Sequence, residues 1–327
     1  MTLRFNRRSF NLAAASLAAT SLASRALAQS GAYPSKTIRI VVPFPAGGGT
    51  DAAGRQMAQR IGDRLKATAI VENRPGAGGG LGTLTVARSD PDGYTLVVGG
   101  VGTLFTAKAL FPELKLDPMK ELTPVALLTS TPLALVVPAN SPFTSVAQLV
   151  EAARTRKDGL FFGSGGAGPS QLAVEMFADM GKLQLQHVPY KGSAPALQDL
   201  AAGRIDFMMD ILSSVSSLIK AGRLRLLAVS TPRRVPQYPD VPTVAETPGF
   251  AGFEALTWTG LFAPRATDPK IIQQLSSALN DKTDEAAFKA QVEASGAYFT
   301  PMTAPQFDAF VKSEHKRWGP VIEKAVK

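Results

Sequence analysis

The sequence predicts an α/β fold made of two lobes that two long strands connect. Short β-branched runs alternate with amphipathic helical segments, which indicates mainly parallel sheets. Two longer β-type segments, residues 125–138 and 254–264, break this alternation and indicate two crossings between lobes. A chain of 327 residues with 45% apolar composition can bury a core in each lobe. We expect residues 29–130 and 255–327 to form the first lobe and residues 131–254 the second.

The strands and helices predicted within these lobes follow in chain order. The predicted buried strands are residues 37–44, 69–72, 94–99, 133–137, 160–162, 185–189 and 224–229. Thr50 or Asp51 is predicted to cap the first helix, Ser170 to open a second, and Ser193 to begin a third. Folds of this kind bind ligands at the carboxyl ends of their strands.

Two glycine-rich turns stand at such strand ends. We call residues 43–51 the first glycine turn and residues 73–80 the second glycine turn. Backbone N–H groups without obstructing side chains can converge on an anion, most readily where a helix begins. The alternative is that these glycines only reverse the chain, and that Asp51 is only a helix cap. We interpret the two turns as a site for a small acid.

The first 28 residues are typical of an export signal. Arg7 and Arg8 precede an apolar stretch over residues 12–22, and Ala26-Leu27-Ala28 forms a small-x-small cleavage pattern. The paired arginines favour the twin-arginine route. A membrane anchor is the alternative, but a spanning helix needs about 20 apolar residues. We predict cleavage between Ala28 and Gln29, a periplasmic protein, and no stable membrane anchor.

Charge and cysteine content exclude several classes of protein. The chain has 35 basic and 26 acidic residues, and removal of the four arginines in the signal leaves a net charge of +5. No dense Lys/Arg stripe interleaved with aromatic residues is present, so nucleic acid is not an expected partner. Cysteine is absent, which excludes disulfides, thiolate catalysis and thiolate metal sites.

A dinucleotide-dependent enzyme is the main alternative, because residues 163–168 satisfy G-x-G-x-x-G. The next predicted strand should then end in an acidic residue, but it ends at Pro189 and Tyr190 follows. Residues 168–172 lack the final glycine of a nucleophile elbow. His187 and His315, the only histidines, have no spacing that suits a metal or acid–base chemistry. We predict no catalytic residue, no metal and no cofactor.

Several ordered motifs resemble a known family over essentially the whole mature chain. They are Tyr33-Pro34-Ser35-Lys36-Thr37-Ile38, Glu72-Asn73-Arg74-Pro75-Gly76-Ala77-Gly78-Gly79, Asp90-Pro91-Asp92-Gly93-Tyr94, Val188-Pro189-Tyr190-Lys191-Gly192, Lys220-Ala221-Gly222-Arg223-Leu224 and Gly260-Leu261-Phe262-Ala263-Pro264. Together they resemble the Bug family, the solute receptors of tripartite tricarboxylate transporters. The resemblance implies a type II periplasmic binding fold that closes around a carboxylate, integral-membrane transporter components as partners, and a monomer. A receptor that feeds a signalling system is a further alternative.

The resemblance also implies which residues form the ligand site. In the first lobe they are Phe44, Ala46, Gly47, Gly48, Thr50, Asp51, Gly76, Ala77, Gly78 and Gly79, and in the second Ser164, Gly165, Gly166, Ser170, Gln171, Tyr190 and Asp210. The chain departs from the family pattern at Ala46, Gln171, Ile211 and Thr259. Trp258 is interpreted as hinge packing, with a stacking platform as the alternative.

Overall fold

The computed structural model describes residues 33–165, 168–294 and 297–325. The strands are β1 (Ile38–Val42), β2 (Ala69–Asn73), β3 (Thr95–Gly99), β4 (Leu122–Pro138), β5 (Leu160–Ser164), β6 (Leu185–Pro189), β7 (Met208–Ile211), β8 (Leu224–Val229), β9 (Leu256–Pro264) and β10 (Tyr298–Met302). The longer helices are α1 (Gly49–Leu65), α2 (Gly80–Ala87), α3 (Val146–Thr155), α4 (Pro169–Gly181), α5 (Ser193–Ala201), α6 (Leu212–Lys220), α7 (Pro269–Leu279), α8 (Glu285–Ala294) and α9 (Ala304–Ala325).

Shorter helical turns complete the described structure. They are the 3₁₀ turns Ala77–Gly79, Pro112–Leu114 and Val244–Glu246, the π-helical turn Gly102–Thr106, and the single turns Ala107–Leu110 and Pro118–Glu121. None of the described helices is long and apolar enough to cross a bilayer.

The main sheet has the order β2-β1-β3-β9-β4-β10. β1 pairs in parallel with both β2 and β3, whereas β9 runs antiparallel to β3 and to β4. The far half of β4 pairs antiparallel with β7 and β8, and β5 pairs in parallel with β6. The predicted α/β class is confirmed. The expectation of mainly parallel sheets is wrong, because the long strands β4 and β9 return against their neighbours and impose antiparallel pairing.

β4 passes from one group of partners to another near its middle. Residues up to Pro132 pair with β9, and from Leu133 onward the strand pairs with β7 and β8. Proline in a strand predicts an interruption at Pro132, but the strand is continuous. The missing N–H of Pro132 lies where β4 changes partners, so no bond is lost inside a ladder.

Three chain segments meet at this change of partners. Leu133 N–H donates to Ser230 Oγ over 2.8 Å, and Ser230 N–H donates to the Leu133 carbonyl over 2.9 Å. Ala255 N–H donates to the Ser230 carbonyl over 3.0 Å, and the Ser230 hydroxyl donates to the Ala255 carbonyl. Residue 255 leads directly into β9, so outgoing and returning strands are linked at one point.

The C-terminal helix α9 packs across this junction. It contacts both β4 and α4. Trp318 and Phe307 on α9 are fully buried, as is Phe177 on α4. One buried cluster therefore includes side chains from the main sheet, from α9 and from α4.

Candidate functional site

The first and second glycine turns lie at the same edge of the main sheet. β1 is the central strand of three parallel neighbours, so the turns that follow β1, β2 and β3 are adjacent. A Cβ built on Gly79 would lie 2.6 Å from Thr103 Cγ2 and 3.3 Å from the Phe44 ring. The three turns are therefore in contact, and the close approach requires glycine at position 79.

The first glycine turn leaves its backbone open. A Cβ on Gly47, Gly48 or Gly49 would meet no atom within 4 Å. Gly48 occupies the N-cap position of α1 in an extended conformation, and no side chain caps the helix. The first N–H groups of a helix have no intrahelical acceptor and carry partial positive charge. Gly47 N–H donates to Asp51, but the first N–H groups of the helix itself have no side-chain cap and lie beside free space.

Asp51 holds the first and second turns together. Its buried carboxylate accepts hydrogen bonds from Gly47 N–H (3.0 Å), from Asn73 Nδ2 (2.9 Å) and from Arg55 (3.0 and 3.1 Å). The bonds from Arg55 and Gly47 lower the pKa of the Asp51 carboxyl to about 2. The prediction that Thr50 or Asp51 caps α1 is wrong, because the N-cap is Gly48, two residues before Thr50, and Asp51 bonds backward to the turn.

The second glycine turn has an unusual backbone. Gly76, Ala77, Gly78 and Gly79 all have positive φ, at 134°, 48°, 60° and 94°. Side chains rarely adopt such angles, so glycine serves here to allow the conformation. Gly79 N–H donates to the Gly76 carbonyl over 2.9 Å, and Gly79 is the N-cap of α2 without a side-chain bond.

A third turn, residues 99–106, was not predicted from the sequence. Gly100 N–H donates to Thr103 Oγ1 over 2.9 Å, and the π-helical turn Gly102–Thr106 follows. A Cβ on Gly102 would meet nothing within 4 Å. Such π-type irregularities are frequent at functional sites. The available signal was a glycine-rich segment that directly follows a predicted strand, as in the other two turns.

The second predicted half of the site begins where β5 ends. Ser164 is fully buried, and its Oγ lies 2.8 Å from His187 Nε2. A Cβ on Gly165 would lie 2.6 Å from Ser193 N, so this loop packs against the start of α5. Gly166 lies outside the described residues. α4 and α5 begin after the glycine N-caps Gly168 and Gly192, neither with a side-chain cap bond.

Ser170 therefore does not open α4, contrary to the sequence prediction, because the helix starts at Pro169. Its hydroxyl donates instead to Asp210 Oδ1 over 3.2 Å, and Ile211 N–H donates to the same oxygen over 2.7 Å. Asp210 is fully buried at the end of β7, and its Oδ2 has no hydrogen-bond partner in the described structure. A buried carboxylate oxygen without a donor is costly unless a ligand or water supplies one.

Two other predicted residues of this half have protein partners. The Tyr190 hydroxyl donates to Asp199 over 2.9 Å, and burial and this carboxylate raise the pKa of the Tyr190 phenol. Gln171 is buried, and its side chain hydrogen-bonds Glu175 one turn later on α4. The polar groups of both side chains are therefore already bonded within the protein.

Trp258 is buried in the protein core, as its interpretation as hinge packing requires. Its indole N–H donates to Glu314 Oε2 over 2.9 Å, and Trp318 donates to the same oxygen over 2.9 Å. Arg317 lies 2.9 Å from Glu314 Oε1 and 2.9 Å from Glu254. Burial raises the pKa of the Glu314 carboxyl. This polar cluster fixes α9 to the start of β9 and leaves no indole face for a ligand.

Within residues 33–165, 168–294 and 297–325, no group of three His, Asp or Glu side chains is arranged to hold a metal ion.

Comparison with known proteins identifies relatives along nearly the whole chain. The family model described as "Tripartite tricarboxylate transporter family receptor" matches residues 53–326. Protein BugT of Bordetella pertussis is 33% identical over 294 residues, which cover 89% of this chain and 90% of BugT.

Two solved structures are similar in both sequence and fold. Rpa4515 of R. palustris, solved with adipate, has a TM-score of 0.76 and 33% identity, and the match covers 90% of this chain and 98% of Rpa4515. MatC from Rhodopseudomonas palustris, solved with bound malate, has a TM-score of 0.70 and 33% identity, and the match covers 89% of this chain and all of MatC.

Proposed function

Because the chain belongs to the tripartite tricarboxylate transporter receptor family, we propose that it captures a small carboxylate between two lobes and delivers it to the membrane components of such a transporter. Members of this family are solute receptors and not enzymes. The G-x-G-x-x-G pattern at residues 163–168 therefore belongs to a receptor, and the dinucleotide alternative is set aside.

The first glycine turn carries this proposal. Gly47, Gly48 and Gly49 leave space for a ligand directly in front of the N-terminus of α1, where no side chain caps the first N–H groups of the helix. A carboxylate in that space receives backbone hydrogen bonds and the favourable end of the helix dipole. Adipate and malate, the ligands of the two similar structures, are both small dicarboxylates, which supports this class of ligand.

The remaining site residues divide into contact and positioning roles. We assign ligand contact to the backbone of Phe44, Ala46 and Thr50 around the first turn and to the second turn. Asp51 is a positioning residue, because its hydrogen bonds are directed to Gly47, Asn73 and Arg55.

In the second lobe, Asp210 Oδ2 is the group we expect to accept a hydrogen bond from the ligand or from a bridging water. Ser170 orients it through Oδ1. The backbone of Ser164, Gly165 and Gly166 and the side chains of Gln171 and Tyr190 complete this wall of the cleft in our proposal.

We propose that the lobes comprise residues 29–130 with 255–327, and residues 131–254. Leu133 and Ala255 each lie within three residues of one boundary, and their hydrogen bonds to Ser230 support a hinge at this point. Closure would bring the glycine turns and Asp210 onto the same ligand.

Export to the periplasm, cleavage after Ala28, the twin-arginine route and a monomeric state complete the proposal. The signal falls outside the described residues. N-terminal sequencing of the exported protein tests the cleavage, with Gln29 as the expected first residue and Met1 as the contradicting result. Uptake of the ligand in cells that lack the receptor distinguishes a transporter role from a signalling role. If the protein serves a transporter, uptake should be lost in these cells, and if it serves a signalling system instead, uptake should be unchanged.

A thermal-stability screen tests the binding function. At a ligand concentration about 100-fold above the dissociation constant, binding to the folded state alone stabilises by roughly 2.7 kcal/mol. We expect dicarboxylates such as adipate and malate to raise the melting temperature, the diamide of adipate to have no effect, and the acid to be recovered unaltered. Solution scattering should show a more compact particle with ligand. Stabilisation by nucleotides alone, or chemical change of the acid, would contradict the proposal.

A further inference from the structure

A groove with both polar and apolar walls lies between α7 and the first turns of α9. Its volume is about 950 Å³, comparable with the roughly 300–1,000 Å³ of small-molecule sites. Buried Pro124 and Ile272 provide apolar surface, and Gln273 on α7 and Asn280 at its C-cap provide polar side chains. Arg265 also lines the groove, in the loop between β9 and α7.

The groove is remote from the glycine turns. β3 runs toward those turns and ends at Gly99, which pairs with Gly260 of the antiparallel strand β9. β9 then continues away from the turns and ends at Pro264, immediately before Arg265. The groove therefore opens at the opposite edge of the main sheet, and a molecule bound there would not contact the proposed carboxylate cleft.

Arg265 is the cation of this groove that is available to pair with a ligand. The second cation, Lys312, is neutralised by Asp308 over 2.5 Å. Arg265 forms no ion pair with any residue of the described ranges, although its side chain is exposed at the groove. Its backbone is fixed, because Arg265 N–H donates to the Glu121 carbonyl over 2.8 Å and Thr123 donates to the Arg265 carbonyl over 3.3 Å.

Thr267 supplies a second, independent observation. It lines the groove, is 4% exposed, and its hydroxyl has no hydrogen-bond partner in the described structure. A buried hydroxyl without a partner destabilises a protein relative to a methyl group of the same shape. Rotation about its Cα–Cβ bond redirects the hydroxyl and would make it available to a bound molecule.

We propose that this groove is a second ligand site, for a small organic acid whose carboxylate pairs with Arg265 and whose apolar body lies on Pro124 and Ile272. Thr267 donates a hydrogen bond to the same ligand. Arginine is well suited to this task because its guanidinium binds a carboxylate through two parallel hydrogen bonds. The site is separate from the receptor function and does not depend on it.

The test uses 4-phenylbutyrate as probe and 4-phenylbutanol as its uncharged analogue. Titration calorimetry should detect saturable binding of the acid, and amide NMR shifts should cluster at residues 265–280 and 303–312. Arg265→Gln should weaken binding at least about tenfold, because it removes the charge and with it the paired hydrogen bonds to the carboxylate. Arg233→Gln, at another exposed arginine without an ion pair in the described structure, should change nothing.

Thr267→Val adds a readout that a purely structural role would not produce. The variant should keep or raise the melting temperature and yet bind 4-phenylbutyrate about fivefold more weakly. Thr300→Val removes another unpartnered hydroxyl outside the groove and should leave affinity unchanged.

Three results would overturn the proposal: no saturable binding of 4-phenylbutyrate, equal affinity of the Arg265→Gln and Arg233→Gln variants, or NMR shifts confined to the glycine turns. A Gly48→Val variant provides the reciprocal control. It should bind at the groove normally whether or not the cleft accepts a carboxylate.

Discussion

Helices at the proposed ligand site and helices elsewhere begin in different ways. α1, α2, α4 and α5 each start after a glycine, at Gly48, Gly79, Gly168 and Gly192, with no side-chain cap bond. In α3 and α7, by contrast, Ser145 accepts from Gln148 N–H and Asp268 accepts from Lys270 N–H.

The difference indicates what the glycines are for. A capping side chain satisfies one of the orphan N–H groups of a helix and stabilises it, so Ser and Asp are the favoured residues where stability alone matters. A glycine N-cap leaves these donors unclaimed and gives an anion direct access to them. α1, α2, α4 and α5 therefore lack a stabilising bond that α3 and α7 possess.

The largest effect on stability is expected in the second glycine turn, where the backbone itself requires glycine, in contrast to the open first turn. Gly79→Val should lower the free energy of unfolding by about 3 kcal/mol or more, because valine is strained at φ +94° and its Cβ would meet Thr103 at 2.6 Å. Chemical denaturation measures the loss. A change below about 1 kcal/mol would show that the backbone conformation at position 79 does not require glycine.

Gly48→Asp tests the comparison most directly. The aspartate should cap α1 and leave the free energy of unfolding equal or up to about 1 kcal/mol higher, since a Cβ here meets nothing within 4 Å. Affinity for a stabilising dicarboxylate should fall at least about 100-fold, because the new charge occupies the N–H groups and repels the ligand. Calorimetric titration measures the affinity, and chemical denaturation of the same preparation measures the stability.

Gly319→Ala is the matched control for that change, because it adds a Cβ into open space in α9. It should alter neither affinity nor fold. Unchanged affinity of Gly48→Asp would remove the first turn from the site.

Asp51→Asn should have an intermediate effect on stability that depends on pH. The pKa of Asp51 is lowered from 3.8 to about 2 in the folded protein. The carboxylate therefore stabilises the fold fully above about pH 4, and this contribution is lost as the pH falls toward 2. The variant should be about 1–2 kcal/mol less stable at pH 7, a range reduced because Arg55 is exposed. A difference that persists at pH 2 would contradict this origin.

The smallest effect is expected at a helix remote from the site. Asp268→Ala should lower the free energy of unfolding by about 1 kcal/mol through loss of the α7 cap. Dicarboxylate affinity should stay within twofold of the parent value. Weaker binding in this variant would mean that capping at α7 is coupled to the cleft.

The sequence predicted local features better than strand pairing. β1, β3, β6 and β8 fall within predicted runs, because continuous apolar runs between turns report burial directly. β10 was missed, since its residues Tyr298–Met302 are only half-buried and lack a clear period. The antiparallel return of β9 was not predictable from either strand alone.

The sequence likewise indicated some features of the proposed site and missed others. The two glycine turns were evident because each glycine cluster directly follows a predicted strand, and the third turn at residues 99–106 shows the same signal in weaker form. Helix starts were assigned to Thr50 and Ser170 by residue preference, but the N-cap positions of α1 and α4 are occupied by glycine. Preference describes average stability, and a binding site departs from that average.

By itself, the sequence determined the α/β class, the family motifs and the glycine turns. These depend on periodicity, residue type and neighbours in the chain. Only the tertiary structure decided that Asp51 joins both turns, that Asp210 is buried with one oxygen unpartnered in the described structure, and that Arg265 and Thr267 line one groove. Each of these facts depends on which distant segments pack together, and packing is set by the whole fold and not by any local pattern.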